Sequence, residues 1–124
     1  MKIHESAENY IETIYMLQKR QGSVRSIDIA NELEFSKPSV SIAMKNLREN
    51  NIAEVDSAGY ITLTKAGLEI AERMYERHTL LTRFLTDLGV DPEIAAEDAC
   101  RIEHVISAES FEAIKAFAVK KAED

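Results

Sequence analysis

Tryptophan is absent from this chain, and cysteine occurs once, at Cys100. A lone cysteine excludes an internal disulfide, so the fold must be held by burial of apolar side chains. No apolar run approaches the ~18 residues of a membrane span, and no charged-then-apolar leader with a cleavage site is present. A soluble and, most simply, cytoplasmic protein is expected. No Pro/Gly/Ser-rich linker, low-complexity run or internal repeat interrupts the chain. Positive charge is also scarce: 15 Lys and Arg face 22 Asp and Glu, for a formal net charge of −7. This balance argues against a bulk electrostatic attraction to nucleic acid, so any DNA contact would have to come from a local patch. What is present, 124 residues of 45% hydrophobic content, suffices for one compact domain or two small ones sharing a core.

The first helix is predicted over residues 6–19, where Ile11, Ile14 and Leu17 recur at helical spacing, Ser6 can cap and Gly22 ends the run. A short helix over 26–33 breaks at Glu34-Phe35-Ser36. The third opens on Ser36-Lys37-Pro38, a capping hydroxyl before a proline whose missing N–H costs little in a first turn. It runs to about Glu49 with Val40, Ala43, Met44 and Leu47 inward, and stops at Asn50-Asn51. Residues 52–55 and 60–63 then flank the turn-rich Asp56-Ser57-Ala58-Gly59, which predicts a β-hairpin. Two helices joined by a turn and followed by a hairpin make a winged helix-turn-helix. A small helical domain with an incidental hairpin is the blander alternative.

Local charge agrees with a DNA-binding role where the total does not. Between Phe35 and Arg48 lie Lys37, Lys45 and Arg48 and no acid. Ser36, Ser39 and Ser41 add short hydroxyls, and the start of the helix offers free N–H groups to phosphates. Pro38 and Ile42 are suited to thymine methyls, and Arg25 completes the candidate DNA-binding set. Each serine taken singly could be an ordinary cap or solvated residue.

A long helix, about 64–88, follows a Thr64 N-cap and ends before Gly89, with Ile70, Met74, His78, Leu81, Leu85 and Leu88 along one stripe. Asp91-Pro92 opens the next, and a last helix after Ser107 aligns Phe111, Ile114 and Phe117. Residues three and four apart share a helix face, so Cys100, Glu103 and His104 point a thiol, a carboxylate and an imidazole at one place. These are metal-ligand types; a buried Cys beside an exposed Glu-His pair explains the same spacing. His78 is either a satisfied core histidine or a further ligand.

The runs Glu8-Asn9-Tyr10-Ile11-Glu12-Thr13-Ile14-Tyr15, Arg77-His78 before Leu80-Leu81, and Asp98-Ala99-Cys100-Arg101-Ile102-Glu103-His104-Val105-Ile106-Ser107 together resemble the diphtheria toxin repressor family of metal-activated transcriptional repressors. The resemblance covers nearly the whole chain, and in length the chain is similar to the shorter, manganese-regulator branch. It implies a mainly α fold: a winged helix-turn-helix over 1–63, then a helical metal-binding and dimerisation domain over 64–124. It implies His78, Cys100, Glu103 and His104 as metal ligands, with Glu12 matching a ligand of the manganese branch. Asn9 stands where that branch has Asp and the iron branch has Met. Thr82 and Ala96 replace an acid and a histidine of the iron branch's ancillary site, so that form of second site is not expected.

The resemblance further implies a homodimer on double-stranded operator DNA, acting as a repressor of metal-homeostasis genes, with no enzymatic activity, membrane partner or organic substrate. The soft Cys100 thiolate points to Fe²⁺, with Mn²⁺ as alternative and Zn²⁺, Co²⁺ or Ni²⁺ binding in vitro. Two rivals stand beside this reading. A winged-helix regulator that senses no metal would use Cys100 and His78 in its core, and a metallohydrolase would hold an activated water on the same ligands.

Overall fold

The computed structural model describes residues 5–123 and divides into two compact units, 1–73 and 74–124. The order of elements is α1 (Glu5–Gln21), α2 (Ser26–Leu33), α3 (Lys37–Glu49), β1 (Ala53–Val55), β2 (Ile61–Leu63), α4 (Lys65–Asp87), α5 (Pro92–Val105) and α6 (Ala108–Glu123). The chain is mainly α-helical, as expected. No helix among the described residues is long and apolar enough to cross a membrane.

In the first unit, α1 to α3 turn their apolar faces onto a common core. Ile11, Ile14 and Leu17 of α1 meet Ile29 of α2 and Val40, Met44 and Leu47 of α3. The expected cap at Ser6 is not observed: α1 already includes Glu5, so Ser6 lies within the first turn. Gly22 closes α1 at φ +85°, a left-handed conformation that glycine adopts without a Cβ penalty. Ser36 caps α3 as expected, its hydroxyl accepting from the Ser39 N–H at 3.3 Å.

The hairpin is antiparallel, with Ala53 opposite Leu63 and Val55 opposite Ile61. Its strands are shorter than the sequence suggests because their outer residues pair elsewhere. Ile52 N–H closes onto Leu47 O at 2.9 Å, and Tyr60 bridges to Arg25. The turn is fixed from within: one Asp56 carboxylate oxygen accepts from the Ala58 and Tyr60 N–H groups, each at 2.9 Å. The hairpin joins the helices through Ile61 N–H to Val24 O at 2.7 Å and Gln18 Nε2 to Ile61 O at 3.2 Å.

The start of α4 packs on the same hairpin. Thr64 caps it, accepting from Gly67 N–H at 3.2 Å while donating to Asn51 O at 2.7 Å. A Cβ on Gly67 would collide with the Ile52 carbonyl oxygen, so only glycine allows this approach.

The second unit consists of the rest of α4 with α5 and α6, around Leu81, Ala99 and Phe111. Asp91 caps α5 through Glu93 N–H at 3.1 Å and Ile94 N–H at 3.4 Å, with Pro92 in the first turn. Ser107 caps α6 through Ser110 N–H at 3.1 Å. Leu88, placed by spacing on the inward stripe of α4, is instead 61% exposed. The helix ends at Asp87 and Gly89 turns the chain at φ +106°, which takes Leu88 off the helical face.

Candidate metal centre and nucleic-acid face

The periodicity of α5 sets Cys100, Glu103 and His104 on one face, and α4 brings His78 to it. The ligand atoms of Cys100, Glu103 and His104 all lie within 4.8 Å of one another. His78 Nδ1 stands 3.4 Å from one Glu103 carboxylate oxygen, and His104 Nε2 stands 3.5 Å from the other. Glu103 is 0% exposed, and neither of its side-chain oxygens receives a hydrogen bond.

That arrangement is a test of whether a cation fits. Each buried acceptor left without a donor costs ~1–3 kcal/mol, and more when charged. A fully buried carboxylate that accepts no hydrogen bond and has imidazole nitrogens at 3.4 and 3.5 Å is a group whose burial a bound cation would offset. Donors about 2.0–2.3 Å from one ion lie within roughly 4.6 Å of each other, so the observed spread closes with small side-chain rotations. Thiolate, carboxylate and imidazole are the donors that first-row divalent ions take. The residues present therefore fit a divalent transition metal.

Glu12 and Asn9 belong to the first unit. Glu12 is a buried acid on α1, where Glu8 and Thr13 are buried as well. Asn9 is half-buried, and its backbone carbonyl accepts from the Thr13 hydroxyl at 2.8 Å.

On α3, Lys37, Pro38, Ser39, Ser41, Lys45 and Arg48 are all exposed. Ile42 stands among them at 64% exposure, a large apolar side chain left uncovered in the middle of a polar and basic surface. Ser36 is exposed too, but its hydroxyl is committed to the cap and to Ser39 Oγ at 2.9 Å. Arg25 is engaged differently from the lysines. Its guanidinium donates to the Ala58 carbonyl and lies 5.1 Å from the Tyr60 ring centroid, against Gly59. Its backbone N–H bonds the Asp28 carboxylate at 2.8 Å. Arg25 thus holds the turn of the hairpin, a role that spacing along the chain could not reveal.

In the second unit, α4 and α6 border a groove of about 820 Å³ lined in part by Leu80, Phe84, Leu88, Phe117 and Val119. Phe117, aligned by spacing with the buried Phe111, is half exposed and meets Phe84 edge-on at 6.3 Å.

Comparison with known proteins decides between the readings. A family model described as iron dependent repressor, N-terminal DNA binding domain, matches residues 2–66. Another, described as iron dependent repressor, metal binding and dimerisation domain, matches residues 64–124. The chain belongs to the iron-dependent repressor family. This is the diphtheria toxin repressor family to which its motifs pointed. Transcriptional regulator MntR of Escherichia coli is 35% identical to this repressor-family chain over 116 residues, covering 94% of this chain and 75% of the relative.

Among solved structures, that of the manganese regulator SloR matches with a TM-score of 0.80 and 28% identity, over 95% of this chain. A manganese-dependent transcriptional repressor in complex with manganese matches with a TM-score of 0.81 and 28% identity, over 89% of this chain. The chain spans about half the length of these solved chains, 54% and 51% respectively. Members of the family are transcriptional regulators, which leaves the metallohydrolase reading without support.

Proposed function

We propose that this iron-dependent repressor family member is a metal-activated homodimer that represses metal-homeostasis genes in the cytoplasm by binding operator DNA. The observation that carries the metal half is Glu103, a carboxylate with no exposed surface, held between His78 and His104 and close to Cys100. The observation that supports the DNA half is α3, with its basic and hydroxyl side chains exposed around Ile42.

His78, Cys100, Glu103 and His104 would hold the ion, which when bound supplies positive charge that neutralises Glu103. Glu12 and Asn9 are proposed as further ligands, supported by the burial of an acid on α1. With ligands drawn from both the 1–63 and 64–124 domains, metal binding selects one arrangement of the DNA-binding half in the dimer. Recognition helices of a dimer then meet successive major grooves ~34–36 Å apart. Dimerisation is assigned to the second unit, whose Leu88, Ile94, Val105, Phe117 and Val119 are exposed apolar side chains of the kind a second copy covers.

Cys100 supports Fe²⁺ as the activating ion, since thiolate is softer than the all-oxygen-and-nitrogen environments that suit Mn²⁺. A Mn²⁺ reading is favoured by Glu12 and by similar solved structures named for manganese. Anaerobic titration of operator binding with Fe²⁺, Mn²⁺, Zn²⁺ and chelator tests both levels. Binding that is equally strong in excess chelator would remove metal activation. Activation by Mn²⁺ at lower free concentration than Fe²⁺, unchanged in Cys100→Glu, would give selectivity to the manganese reading.

A further inference from the structure

Arg77 precedes His78 on α4, at a position on the inward stripe between Met74 and Leu81 where a charged residue is out of place. Its Nη1 donates to the backbone carbonyl of Glu103 at 3.0 Å and to that of Ile106 at 2.9 Å. The guanidinium carbon lies 5.4 Å from the Phe111 ring centroid, and Nε is buried with no hydrogen-bond acceptor. α5 ends at Val105 with Ile106 as its cap, so the Glu103 carbonyl is one of the last in the helix and has no partner within it. A cation at that end also suits the negative pole of the helix dipole.

Glu103 is therefore held twice by consecutive residues of α4. His78 approaches its carboxylate, while Arg77 grips its main chain. The helix that carries His78 is thus registered against the helix that carries Cys100, Glu103 and His104, at the residue in the middle of the cluster. We infer that Arg77 is a positioning residue for the metal centre, setting where Glu103 and His104 stand relative to His78. This rests on the metal reading of the cluster, and adds that the affinity and geometry of the site depend on a side chain that never touches the ion. Nη1 serves both carbonyls while the guanidinium carbon stays over the Phe111 ring, and a lysine, with its single nitrogen at the end of a flexible stem, would keep only part of this arrangement.

The test is Co²⁺ titration of the intact chain, followed by its visible ligand-field bands and the thiolate charge-transfer band of Cys100, with apo thermal unfolding measured alongside. Arg77→Met is expected to weaken Co²⁺ binding about ten- to a hundredfold, the range typical of partners that orient metal ligands. It should also change the band pattern, while Arg77→Lys recovers part of both. Wild-type affinity and bands in Arg77→Met would overturn the inference. Should that variant fail to fold, Arg77→Lys decides: a lowered melting temperature with unchanged Co²⁺ affinity and spectrum would make the arginine structural only. A wild-type chain that takes up no Co²⁺ would instead overturn the metal reading, and this inference with it.

Discussion

The two units of this repressor-family protein bury different things. The first packs Ile11, Ile14, Leu17, Ile29, Val40 and Ile61 at or near zero exposure in one continuous core. The second gathers a smaller cluster around Leu81, Ala99 and Phe111, and one of its most deeply buried large side chains is the charged Glu103. The first is stabilised mainly by apolar burial, which needs no bound ion, although Glu8 and Glu12 of α1 are buried beside that core. The second sets an ionisable cluster where a larger core would put leucine, and on the proposed metal reading part of its order would depend on an ion bound there. Ligand binding to the native state alone adds stability by mass action, and for metals this couples directly to folding.

Glu103→Gln should break the comparison most sharply. Metal affinity is expected to fall by more than the ten- to hundredfold typical of outer partners, since a ligand itself is lost. Apo stability should not fall, because an amide is cheaper to bury than an uncompensated carboxylate. Calorimetry with and without Mn²⁺ reads both; a large loss of apo stability would mean that Glu103 already has its compensation within the protein.

Next comes Ile14→Ala in the first unit, expected to cost ~2–5 kcal/mol. That cost should be the same in chelator as in saturating metal. A metal-dependent cost in urea titrations would show that the contrast between the units is false.

Smaller effects are expected on the DNA face. Replacing Lys37, Lys45 or Arg48 by Ala should weaken operator binding and reduce the salt slope by about one each. Arg25→Ala should weaken binding with the slope nearly unchanged, since its guanidinium is spent on the Ala58 carbonyl and Tyr60. A slope that drops by a full unit in Arg25→Ala would return it to the phosphate contacts.

The smallest effect concerns Glu32 on α2. The hydrogen bond from Arg20, bidentate at 2.9 and 3.2 Å, holds its carboxyl below the usual range; burial opposes this slightly and the arginine charge assists. A depressed carboxylate contributes stability above its unfolded pKa and loses it as pH falls through the folded one. The pair is exposed, so the contribution is small. Arg20→Ala should raise the Glu32 titration midpoint by NMR; an unmoved midpoint would leave the crosslink between α1 and α2 without electrostatic content.

Much of this was legible in the sequence because it is local. Caps declare themselves within a few residues, as Ser36 before Lys37-Pro38 and Asp91 before Pro92 do, and the α5 spacing of Cys100, Glu103 and His104 needs only the helical period. What escaped depends on partners distant in the chain. Arg25 reads as one more surface cation until Ala58 and Tyr60 fold back over it, and Arg77 is part of a motif with no evident task until Glu103 and Ile106 arrive from α5. Ser6 and Leu88 misled at helix ends, where propensity and periodicity are weakest as guides.

The Asp56 carboxylate ties the Ala58 and Tyr60 amides, and the Gly59 N–H closes onto the Asp56 carbonyl at 3.0 Å. The tip of the wing thus spends its polar groups on itself before any nucleic acid is present. Ordering a residue costs ~1–2 kcal/mol of conformational entropy, and here that cost is met during folding rather than on contact. If the proposed DNA-binding domain brings the wing against DNA, it would arrive as a pre-ordered edge, and imperfect grooves should be rejected by misfit, through faster dissociation.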